Sequence, residues 1–113
     1  MIQSDDKQLE PLGLARAETD VVGAMHAYVR AVDSLQTSDD RAAAVADMTR
    51  ARRHFRGCVR DWAIEAHLAN VPPEQALVRV KALLRQFLGA PERNVGIAEQ
   101  AVAWAIAAYY ETR

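Results

Sequence analysis

The chain of 113 residues has a single cysteine, Cys58. That excludes an internal disulfide and any metal site assembled from several thiolates. Breakers are scarce, with four prolines and five glycines, and the stretch 39–70 holds no proline and only Gly57. No segment alternates apolar and polar residues as a half-buried strand would, and no internal repeat is present. No apolar run approaches the length that crosses a bilayer. The glycine-rich phosphate loop, the zinc-protease motif and a local Ser/His/Asp or Cys/His grouping are all missing. The Glu-x-x-His pattern of di-iron bundles is missing too. Lysine is nearly absent. Arginine outnumbers it twelve to two, as suits a GC-rich bacterial genome. Net charge is −1 with both signs spread along the chain, so nothing draws the whole domain to nucleic acid or an anionic membrane.

What is present is helical periodicity. Ala44, Met48, Ala51, Phe55, Cys58 and Trp62 alternate spacings of four and three. At roughly 100° per residue they form one narrow stripe. The class that follows is all-α, a small bundle of four main helices in which helix two is long, about 39–69. Half of the chain is apolar, but 22 residues are alanine. Alanine favours helix and close approach of helix axes while burying little area. The length suits one domain with a modest core.

The polar, acidic stretch 1–10 reads as a disordered leader, not as a signal or transit peptide, followed by a single helical domain over 11–113. A cytoplasmic location is the expectation. Helix one is expected from Pro11 or just after Gly13, with its periodic part over about 18–36, where Val21, Met25, Tyr28, Val32 and Leu35 repeat the spacing. Gly23 within it is expected to let a neighbour approach closely. Ser38 is the expected N-cap of helix two, with Asn70 near its C-cap. Val71-Pro72-Pro73-Glu74 stops helix two and opens helix three, which carries Leu77, Val80, Leu84 and Phe87 on one face. Gly89-Ala90-Pro91 ends it. Helix four runs from Glu92 or Arg93 to near Glu111, apolar over much of its circumference, which implies a central, well-covered helix. Helix two is too long for helix three to cover evenly, so either it kinks near Gly57, or helices three and four pack on its C-terminal half while helix one covers the rest, or part of its stripe is left over. A second copy of the chain is the expected cover, giving a homodimer.

Arg41, Arg50, Arg52, Arg53, Arg56 and Arg60 form a basic face on helix two opposed only by Asp47. Guanidinium groups in such a cluster suit carboxylates and phosphates. With no recognition-helix pair, an acidic protein partner is expected there rather than nucleic acid. His54, Cys58, Asp61 and Glu65 share the seam's flank at spacings of four, three and four, and are the residue types that ligate zinc. A single straight helix cannot surround an ion, so no metal and no cofactor is expected. The aromatic residues Trp62, Trp104, Tyr109 and Tyr110 read as core more than as a ligand pocket. His26 lies beside the first seam, and His67 lies opposite the second.

The run His54-Phe55-Arg56-Gly57-Cys58 has a likeness to the histidine phosphotransfer domains, four-helix proteins of this size. Those carry His, then Lys three residues later, then Gly; here the glycine is one position early and the lysine is absent. The resemblance implies His54 as a phosphoacceptor. A regulatory module that binds other proteins is the first expectation, and a phosphotransfer module using His54 or a nucleic-acid- or ligand-binding regulator the second.

Overall fold

The computed structural model describes residues 2–88 and 95–111, with side chains over 13–86 and 96–111. The helices are α1 (Ile2–Thr37), α2 (Arg41–Leu68), α3 (Pro73–Leu88) and α4 (Val95–Glu111). Among the described residues there is no strand. The all-α bundle expected from periodicity is what forms. Helix two is unbroken through Gly57, and at 28 residues spans about 42 Å.

Helix α1 is the main departure from expectation. It starts at Ile2, ahead of Pro11 and Gly13, so residues 2–10, read above as a leader, have helical backbone. Polar composition concealed good helix formers such as Lys7, Gln8, Leu9 and Glu10. At 36 residues α1 spans roughly 54 Å, close to the 55 Å long axis of the molecule. It is therefore longer than α2, and from Gly13 onward it runs beside it. The turn at 38–40 closes an antiparallel hairpin, with Tyr28 against Phe55 (ring centroids 5.9 Å) and Glu18 against Trp62 (3.4 Å). The part of the stripe beyond α3 and α4 lies against α1. Phe55, Val59, Ala63 and Ala66 are fully buried, and Trp62 nearly so. Burying a side chain the size of Phe or Leu contributes about 1.5–3 kcal/mol. Met48 and Ala51 remain half-buried.

The ends of α2 are set by specific hydrogen bonds. Asp40, not Ser38, is the N-cap: its Oδ1 accepts from the Ala43 amide at 3.1 Å. Ser38 instead donates its hydroxyl to the Asp40 carbonyl. The C-terminus closes with the Asn70 amide on the His67 carbonyl and the Val71 amide on the Ala66 carbonyl, both at 3.0 Å. Asn70 adopts φ +63°, the left-handed conformation this paired motif requires. Val71 then packs on the core. Gly23 lies in open space, so no helix approaches it closely. The tight approach is at Gly13, where a Cβ would meet Glu65 Oε2 at 3.3 Å.

Helices α3 and α4 flank the C-terminal half of α2. From 55 to 66, six residues of α2 are buried; from 41 to 50, only Ala44 is. Glu18 of α1 ties three helices together, since one carboxylate oxygen accepts from Arg79 Nε of α3 at 2.8 Å and from Trp62 Nε1 of α2. Helix α4 is not covered all round. It buries Ile97, Ala101, Ala105 and Ala108 and leaves Ile106 and Tyr110 exposed. An alanine stripe brings the axis close and pushes the large residues to its flanks. The expected stop at Gly89-Ala90-Pro91, the start at Glu92 or Arg93 and the Phe87 side chain lie outside the described residues.

Replacing Asp40 with Ala removes the N-cap acceptor and is expected to cost about 1 kcal/mol, lowering the melting temperature by roughly 4–8 °C. Circular-dichroism melting of the variant beside a Ser38→Ala control, which is expected to change little, tests the assignment.

Candidate functional site

Three rings, one from each of three helices, stand in a row across the bundle. Tyr28 of α1 meets Phe55 of α2, and Phe55 meets Trp104 of α4 edge-on at 5.7 Å. Phe55 is fully buried and Trp104 is half-buried, so the row leads from the core to the surface. Arginines meet it there. The guanidinium carbons of Arg52 and Arg56 lie 5.4 Å and 5.9 Å from the Trp104 ring centroid. Such contacts draw on the negative face of the indole and are worth about 0.5–1 kcal/mol each at exposed sites. Arg52 Nε also points to Gln100 Oε1 at 3.5 Å.

The rest of the predicted arginine face lies around this pair. Arg60 approaches Glu111 at 3.8 Å, and Arg50 pairs with Asp47 at 3.2 Å one turn earlier. Both pairs are exposed, so solvent screens them and an incoming anion can displace them. Arg41 and Arg53 are exposed, with no hydrogen-bond or ion-pair partner among the described residues. The sequence thus placed the arginines but not their platform. Gln100, Trp104 and Glu111 share the flank of α4 beside its alanine stripe, and that spacing of four and seven was the available signal.

The four candidate ligands separate. His54 Nε2 lies 3.8 Å from Cys58 Sγ, while Asp61 and Glu65 line a polar cleft between α1 and α2 with Gly13, Arg16 and Asp20. Among the described residues no three His, Cys, Asp or Glu side chains converge to hold a metal ion. His54 is exposed on α2, as a phosphoacceptor would need to be. His67 does not stand apart from the core: its ring meets Tyr109 of α4 at 4.8 Å, and its buried Nδ1 has no hydrogen-bond partner. His26 is exposed.

The aromatic residues divide in the same way. Trp62, Tyr109 and Tyr110, with Leu77, Val80 and Ile106, line an open groove of about 220 Å³ between α3 and α4. Tyr109 donates its hydroxyl to the Val71 carbonyl, which fixes that wall. Trp104 faces the opposite flank. Comparison with protein-family models, with curated proteins and with solved structures gives no match, so the side chains carry the functional argument alone.

Burial of Cys58, then the negative charges of Asp20 and Asp61, push its thiol above the ordinary range. The folded state holds this proton more tightly than the unfolded chain. The resulting stability is present below the ordinary thiol range and is lost as pH rises through the raised value. Alkylation of folded protein by iodoacetamide is therefore expected to need a higher pH than a free thiol needs. Asp61→Asn is expected to speed it at any given pH, and an unchanged rate would remove Asp61 as a cause.

Proposed function

We propose that this chain is a protein–protein interaction module whose docking surface is the arginine face of α2, organised on Trp104 of α4, and whose partner presents an acidic segment. The pair of guanidinium groups stacked over one indole carries the reading. Free arginine side chains lose substantial rotamer entropy when they bind. Arg52 and Arg56 are held in place before any partner arrives, which reduces that cost. Arg53 and Arg60 extend the positive surface beside them, and the exposed Glu111 and Asp47 contacts give way to stronger acceptors. A carboxylate-rich peptide suits this array better than a duplex. The charged strip is short, and the aromatic ring beneath it is occupied by the core instead of being open for base stacking.

Titration with an oligo-glutamate peptide, followed by amide and indole chemical shifts, is expected to perturb Arg52, Arg53, Arg56 and the Trp104 Nε1–H, with an affinity that falls as salt rises. Arg52→Ala/Arg53→Ala/Arg56→Ala should keep the helical spectrum and weaken binding by roughly tenfold, given about 0.2–1 kcal/mol for each exposed charge pair. Trp104→Leu keeps every arginine and should also weaken binding. Full affinity in that variant, or perturbation mapped to another face, would refute the proposal.

A further inference from the structure

The exposed face of α3 has a charge order that complements itself. Glu74 stands in the first turn, Val78 and then Lys81 in the middle, and Arg85 in the last turn; all four are exposed on one side. Val78 is 67% exposed, unusual for a large aliphatic side chain. Glu74 and Lys81 have no ion-pair partner among the described residues. Seven residues separate them, two helical turns or roughly 10.5 Å along the axis. The apolar surface does not stop at α3. Leu77 leads into the groove, and Ile106 and Tyr110, 41% and 57% exposed, form its far bank.

A helix face that runs from negative Glu74 through apolar Val78 to positive Lys81 fits an antiparallel copy of itself and repels a parallel one. We infer that α3 and the adjoining rim of α4 pair with a second copy of this chain about a twofold axis passing between Leu77 and Val78. Glu74 then opposes the partner's Lys81, and Lys81 opposes the partner's Glu74. A twofold contact of this kind is closed, because both copies use the same face. Val78 is sheltered between the two ion pairs, and Ile106 and Tyr110 border the covered groove. Other chains could offer an apolar helix to the groove, but this charge order is matched on the page only by the chain's own. The surface is small, on the order of 1,000 Å² in total, which places the dimer among the weaker specific associations.

This contact is on a different face from the arginine array and does not rest on it. Sedimentation equilibrium from roughly 5 to 300 µM, a range chosen for an interface at the low end of specific sizes, is expected to show monomer passing to dimer. Glu74→Lys alone and Lys81→Glu alone each place like charges opposite one another, and each should weaken association by roughly tenfold or more. Combining the two in one chain restores opposite charges in reversed order and should recover most of the loss. Circular dichroism confirms that each variant folds, and Arg52→Ala/Arg53→Ala/Arg56→Ala should dimerise as the parent does. A parent that stays monomeric across the range overturns the inference. So does a double variant no better than the single ones, which would leave the groove to a different occupant.

Discussion

The stripe along α2 has to be kept from water, and from Phe55 to Trp62 the molecule satisfies that demand within one chain. Phe55, Val59 and Trp62 are enclosed because α1 is long enough to run beside them and α4 closes the other side. Everything else is arranged around that enclosure. The Glu18 carboxylate, held by Trp62 and Arg79, connects the buried row to α3, so the third helix is located by a polar contact at the edge of the core. Its donors are charged or aromatic and its oxygen is mostly shielded, conditions under which a hydrogen bond is worth more than at the open surface.

Helix α4 shows how a choice of small residues has consequences at the surface. Ala101, Ala105 and Ala108 face inward and let the axis come close. The bulky residues that remain must then lie on the flanks. Trp104 falls on the flank toward the arginines of α2, where it becomes their platform. Ile106 and Tyr110 fall on the flank toward α3, where they border an open apolar groove. Two surfaces of different chemistry follow from one buried stripe.

Periodicity read the class, the four helices and the unbroken α2 correctly, because a period of 3.6 residues marks a buried face directly. It failed where helix did not depend on an apolar pattern. Residues 2–10 are polar, so nothing in their spacing announced that α1 begins at Ile2; the uncovered stripe was argued from the shortness of helix three, and α1 from Gly13 onward runs along α2. The capping residue was misplaced by two positions since Ser38 and Asp40 are both good acceptors, and only the turn geometry selects Asp40. The arginines were visible as a cluster, but Trp104 is remote in sequence and its part in the cluster is a matter of how α4 packs. His67 was misjudged for the same reason: a projection of α2 alone gives no hint that Tyr109 lies against it.

The three-residue turn between α1 and α2 also bears on how the chain assembles. It joins the two segments that share the largest interface, so their closure involves the least loop entropy. That hairpin is the contact of lowest closure cost among the described helices. Helix α4 has its main surface on α2 and must wait for α3 to reverse the chain twice. The tryptophan platform therefore depends on a contact between helices that are not neighbours in sequence, and the arginines have their fixed positions only in the fully closed chain.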